Sequence, residues 1–174
     1  TDAIARYQDL PMPIRRSEEW RFANLRGLDL DGFNFTPELS EEGRDQALNA
    51  RELIRKRTGR MIFADNTLVR HEPVPDELAQ KGVIWEPLET ALQKHPEIIR
   101  DYFMTQNPHL GSDKFAALHS AFVTSGCLLY VPRDVTVELP LIARHWATGE
   151  ASAVFPHTLV IAEANARVTL VDTF

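Results

Sequence analysis

Hydrophobic positions along this chain change their spacing once, near Gly126. Before it, apolar residues recur at helical intervals or in isolated runs between polar loops. After it they fall into closely spaced runs, CLLYV, VTVEL, LIARHW, TLVIA and RVTLV, with no helical period between them. Short apolar runs bounded by turn residues predict β-strands. The segments LLYVPRDVTVEL and TLVIAEANARVTLV resemble each other, each placing a short corner between two apolar runs, at an offset of about thirty residues. This repeat predicts stacked strands of a right-handed parallel β-helix with corners at residues 132–134 (PRD) and 163–165 (EAN), since each rung of a solenoid needs a neighbour to bury its face. The competing arrangement is a β-sandwich or cupin-like double sheet. The run VTLVDTF at the end has no closing helix or polar cap after it. An unpaired strand edge is normally covered, charged or continued. The expectation is therefore a front part of a longer protein, or a chain that pairs its last strands with a partner or a second copy.

The first part of the chain predicts a compact mixed unit. Ile4, Tyr7 and Leu10 form a short helical face, stopped by Pro11 and Pro13. Trp20, Phe22 and Leu25 fit neither a helical nor a strand period, as expected where tertiary contacts decide the conformation. A helix is predicted over about residues 39–56, with Leu48, Leu53 and Ile54 on one side and Gly59 closing it. RMIFADNTLVRHEP reads as a hairpin turning at Asp65 and Asn66, residues that tolerate positive backbone angles. After Pro73 and Pro75 come a turn, a strand at residues 83–85, a helix over about 88–94, and a second helix from Pro96 on which Ile98, Ile99, Tyr102 and Phe103 recur at helical spacing. The last helix is predicted from Ser112 or Asp113 to Gly126, with Phe115, Leu118 and Phe122 as its stripe. The fold class is α+β: a mixed helical and hairpin subdomain over 1–111, then a helix and the start of the β-helix core over 112–174.

Charge narrows the function classes. Lys and Arg number 19 against 25 Asp and Glu, a formal charge of -6, and no basic stretch exceeds RELIRKR, so nucleic acid is not an expected partner. No run approaches the roughly 20 apolar residues of a membrane span, and no signal sequence opens the chain. The single cysteine, Cys127, excludes an internal disulfide and a cysteine-built metal cage; a reducing cytoplasm is the expected compartment.

No catalytic signature is present: neither GxSxG, GxxxxGK, GxGxxG nor HExxH occurs. Of six histidines, His145 and His157 fall among the strands with Glu150 between them. On adjacent rungs they would share a metal with Glu138 or Asp172, as in a metal-dependent enzyme acting on a sugar or small acid. That is the rival to a non-catalytic reading. Otherwise no catalytic residue, no bound metal and no cofactor is expected. His119 lies on the stripe of its helix as a partly buried imidazole with one hydrogen-bond partner. Cys127, opening an apolar strand after a helix end, reads as a buried, unreactive thiol. Arg15, Arg16, Glu18, Glu19, Trp20 and Arg21 form a charged turn in which Trp20 packs inward or, with the arginines, anchors a partner.

PIRRSEEWRFANL resembles the Arg, Glu, Trp, aromatic signature near the start of the SufB/SufD family, in particular its SufD branch. DKFAALHSAFVTSGCLLYVPRDVTVELPLIARHW is similar to that family's helix and first β-helix rungs, and FPHTLVIAEANARVTLVDTF to the rung that follows. The family commonly has Lys, Tyr and Thr where Arg21, Phe22 and Ala23 stand, and Asn in place of His119. The resemblance implies a scaffold subunit of the SUF iron-sulfur cluster assembly machinery, acting with SufB and the ATPase SufC and catalysing no reaction alone. It further implies that the family's SufC-binding surface and cluster-associated histidine lie in later rungs and a terminal helical domain, so no functional residue transfers to these positions.

Overall fold

The computed structural model describes residues 2–16, 18–25, 28–52, 54–105 and 113–174. Leu53, His109 and Ser112 lie outside them, and with them the predicted cap at Ser112. Helix α1 (Asp2–Asp9) and the 3-10 turn Glu18–Trp20 precede α2 (Glu41–Asn49), whose N-terminus is capped by Ser40 accepting from the Gly43 amide. The hairpin strands β1 (Gly59–Ala64) and β2 (Thr67–Glu72) turn at Asp65 and Asn66, with φ of 45° and 65°. This is the predicted turn, made by residue types that tolerate the left-handed region. A short helix α3 (Asp76–Gln80) stands where only a turn was expected. Strand β3 (Ile84–Pro87), α4 (Leu88–Lys94), α5 (Pro96–Tyr102) and α6 (Asp113–Phe122) follow, then β4 (Ser125–Val131), β5 (Leu141–Trp146), β6 (Pro156–Ala162) and β7 (Leu170–Thr173).

The strands form two sheets, in the orders β2-β1-β5-β7 and β3-β4-β6. β6 lies parallel on β4, Ser125 opposite Pro156, and β7 lies parallel on β5, Leu141 opposite Leu170. The chain thus alternates between sheets and returns beside its earlier strand after about thirty residues, the offset predicted from the self-similar runs. No antiparallel pair occurs among β4 to β7, against the sandwich alternative. The corners fall where predicted: Asp134 and Asn165 have φ of 61° and 60°, and Asn165 Nδ2 donates to Asp134 Oδ1 at 2.8 Å, one corner stacked on the other. VTVEL is not a strand. It contributes one bridge, Thr136 to Arg167, because the corner leaves too little straight backbone there for a ladder.

Both sheets draw strands from either side of residue 111. β1 lies parallel to β5 with Gly59 opposite Leu141, and β3 lies antiparallel to β4. The inner faces share one core: Met61 and Phe63 of β1 and Trp85 of β3 meet Cys127, Leu129 and Leu141. The unbroken apolar run of β4 follows from burial on both faces. Cys127, Leu129 and Val131 point between the sheets, whereas Leu128 and Tyr130 pack outward against Leu88 and Ala91 of α4 and Ile99 of α5. Outside the other sheet, Ala47 of α2 covers Ile62 and Ala64.

The helix expected over residues 39–56 ends instead at Asn49. The chain beyond it is drawn off the helical path by ion pairs: Arg57 and Arg60 both meet Glu52 and Glu72. Gly59 is not a helix cap but the first residue of β1, where a Cβ would lie 2.8 Å from the Glu72 carbonyl oxygen. Gly126, expected to follow the helix end directly, lies inside β4, and its helix stops at Phe122. Gly126 has φ of 142°, and a Cβ there would fall 2.0 Å from the His157 carbonyl oxygen. Glycine is what lets β6 approach β4 so closely.

Candidate functional site

Three polar features stand out in a framework that is otherwise apolar. The first threads the space between the sheets. Cys127 Sγ lies 3.8 Å from Thr158 Oγ1, its register partner on β6, and Thr158 Oγ1 donates to Asp172 Oδ2 at 2.6 Å. Asp172 Oδ1 is 3.2 Å from His145 Nε2, within ion-pair reach though off the line of a hydrogen bond. His145 is 5% exposed and lies between Phe63 and Phe174, ring centroids 4.9 and 5.0 Å away and nearly parallel, a stack of three rings across β1, β5 and the end of β7. Burial alone would raise the Asp172 carboxyl, but the contacts with His145 and Thr158 outweigh it and hold it below the usual aspartate range. Burial pushes the Cys127 thiol up to about 12, with the Asp172 charge acting in the same direction. Such a thiol is neutral and a poor nucleophile.

The second feature joins α6 to β6. His119 Nε2 is 3.1 Å from His157 Nδ1, and the Phe103 ring lies 4.5 Å from the His157 ring. Burial depresses both imidazoles, His157 to about 4, with the proximity of His119 adding to burial. Two neutral rings sharing one hydrogen bond satisfy each other, which agrees with the expectation of a single partner for His119.

The third is a cavity of about 200 Å³ on the outer face of the sheet β2-β1-β5-β7, walled by Ile54, Ile142, Val171 and Phe174. Glu52, Arg60, Arg144, His145, Trp146 and Thr173 supply its polar groups. Alternation along β5 puts Ile142, Arg144 and Trp146 on this face, and register brings Arg60 beside Ile142.

The metal cluster of the rival reading is not assembled. His145 and His157 stand on different sheets, the first beside Asp172 and the second beside His119. Among the described residues no group of three or more His, Cys, Asp and Glu side chains converges on one point. Asp172 does meet His145, as one arm of that constellation required, while Glu138 and Glu150 do not join them. At the opening turn Trp20 packs on Phe115 of α6 at 5.5 Å, the inward alternative, and Glu18 pairs with Arg21 at 3.7 Å. Phe22, with the Arg21 guanidinium over its ring, is 89% exposed. Lys114 ties α1 to α6 by donating to the carbonyls of Tyr7 and Leu10. Thr158, Arg60 and Arg144 carry no signal as single residues in the sequence. The alternation Ile142, Arg144, Trp146 is the pattern from which the outer-face set was readable.

Comparison with known proteins gives a consistent picture. The family described as the SufBD protein N-terminal region matches residues 1–142. The iron-sulfur cluster assembly protein SufD of Bacillus subtilis is 30% identical over 175 aligned positions, covering 99% of this chain and 39% of that protein. An iron-sulfur cluster assembly SufBD family protein of Staphylococcus epidermidis is 38% identical over 96 residues, 55% of this chain and 20% of the relative. One of Mycobacterium tuberculosis is 35% identical over 108 residues, 62% of this chain and 12% of the relative. The chain thus spans well under half the length of these relatives.

Proposed function

We propose, from the premise that this chain belongs to the SufB/SufD family and corresponds to its N-terminal part, that it contributes to iron-sulfur cluster assembly as a scaffold. The observation that carries the reading is the coincidence of the family match over residues 1–142 with a parallel strand stack that leaves β6 and β7 at the ends of their sheets. Such a stack suits propagation, since each new strand finds its hydrogen-bonding partner already laid down. In this reading the stack is the start of a right-handed parallel β-helix, the chain catalyses no step alone, and it works in the cytoplasm in a complex with SufB and the ATPase SufC. The burial of Cys127 and the mutual pairing of His119 with His157 support a structural role for these three residues. Among the described residues no helix is long and apolar enough to cross a membrane.

The test is purification of the tagged chain from its own cells, with iron-sulfur enzyme activities measured after its depletion. SufB and SufC are expected to co-elute, and aconitase-type activity to fall. An eluate lacking both proteins would remove the partnership, and unchanged cluster enzymes after depletion would remove the assembly role.

A further inference from the structure

The chain before Asn34 is attached to the rest of the molecule without entering its core. None of its described residues is buried, and the buried apolar set begins only at Ala47. Ile4, Met12, Ile14 and Phe22 are exposed. Neither α1 nor the turn Glu18–Trp20 belongs to a sheet, and what they rest on is α6. Lys114 Nζ donates to the carbonyl oxygens of Tyr7 at 2.6 Å and Leu10 at 2.8 Å and lies 4.1 Å from the centre of the Tyr7 ring, while Trp20 packs on Phe115. One side chain thus grips the end of α1 by carbonyls that a helix terminus leaves unpaired, where the helix dipole favours a cation. Beyond this clasp the chain is pinned. Asn34 N donates to the Ala151 carbonyl at 2.8 Å, Ala153 N donates to the Asn34 carbonyl at 2.9 Å, and the Phe35 ring packs on Phe122 and Phe155 at 5.0 and 5.8 Å.

With 8 residues and none of them buried, α1 falls short of the roughly 12–15 residues that a helix needs to persist alone in water. It is helical only while docked. Local stability follows the apolar surface a region buries, so a segment without a buried residue opens at a lower free energy than the sheets behind it. We propose that α1 and the turn Glu18–Trp20 form a strap, latched by Lys114 and hinged at Asn34 and Phe35, that opens by melting α1 while both sheets stay folded. Opening bares Lys114 and Phe115 on α6 and frees Trp20 from its packing on Phe115. Because α1 folds only against α6, closure and helix formation are one two-state step, and the Lys114 contacts set its balance.

The experiment is amide hydrogen exchange on the intact protein at neutral pH, with and without Lys114→Met, which keeps an apolar stem and removes the donors. In the parent, the amides of α1 and that of Leu10, which donates to the Arg6 carbonyl, are expected to be protected but to exchange about a hundredfold faster than those of β1 and β4. Their exchange is expected to depend little on added urea, because opening exposes little surface. Lys114→Met is expected to speed them about tenfold and to leave β1 and β4 unchanged, with Lys114→Arg intermediate. Exchange of α1 in the parent at the rate of β1 and β4 would overturn the proposal, since the segment would then open only with the whole fold. Amides of α1 without any protection would overturn it as well, because the strap would never be closed. A folded Lys114→Met protein whose α1 exchanges as in the parent would remove the latch, and loss of β1 and β4 protection together with α1 would make Lys114 a support of the whole fold instead.

Discussion

Cys127 and His157 carry the clearest consequences at the scale of single residues. The thiol is fully enclosed by the sheets and pushed up to about 12, so thiolate is scarce at neutral and mildly alkaline pH. A thiol reagent at pH 8 is expected to leave the native chain unmodified and to label one site on addition of denaturant. Rapid native labelling would show that the strands part at Cys127. His157 gives a pH dependence whose sign follows from its depressed ionisation. Between pH 6.5 and about 4 the unfolded chain binds a proton here that the folded chain does not, so stability rises with pH through that window and the contribution is complete above it. Urea midpoints at pH 7 and pH 4.5 are expected to differ less in His157→Asn than in the parent. An identical difference in the two proteins would assign the acid sensitivity to other groups. Asp172 titrates in a lower window, because its contacts with His145 and Thr158 hold its carboxyl below the usual aspartate range, and its contribution is lost as pH falls through that depressed ionisation.

Among the elements, the contact of β4 with β6 depends on one residue. Gly126 adopts φ of 142° and presses its backbone against His157, so a methyl group would require the strands to separate. Gly126→Ala is expected to lower stability by about 2–3 kcal/mol, since it adds strain at a left-handed position to a backbone clash. Gly32→Ala is the matched control, with nothing within 4 Å of its Cβ position, and is expected to be near neutral. Equal urea midpoints for the two variants would mean that β6 is not held against β4 as described. The length of α2 is a second case. Its sequence continues the helical pattern past Asn49, but the guanidinium groups of Arg57 and Arg60 compete for Glu52, and the extended path that serves them wins.

At the scale of the whole molecule, the two sheets leave β6 and β7 as edge strands, and β6 presents Val160 at 46% exposure. An edge with free backbone groups is a template for another strand. Sedimentation of a protein made of residues 1–174 alone is expected to show association that rises with concentration, and Val160→Lys to suppress it, since a charge on an edge opposes pairing. Val160 suits this test because it is exposed, whereas Leu170 of β7 packs against the core. A monomer at every concentration, unaffected by Val160→Lys, would show that the edges are protected.

Local chemistry decided what could be read without coordinates. The hairpin at Asp65 and Asn66, helices at Leu88–Lys94 and Pro96–Tyr102, the thirty-residue return of the strands and the corners at Asp134 and Asn165 all depend on neighbours close in sequence, or on a repeat visible within it. The family resemblance was legible for the same reason, being carried by contiguous motifs. What only the tertiary structure settled depends on residues brought together by register. β1 joins β5 across some eighty residues of chain, Cys127 reaches His145 through Thr158 and Asp172, and His119 finds His157 across thirty-eight. Apolar periodicity states that a strand will be buried but not beside which other strand, because burial is satisfied equally by many partners and pairing is chosen by the packing of the whole core.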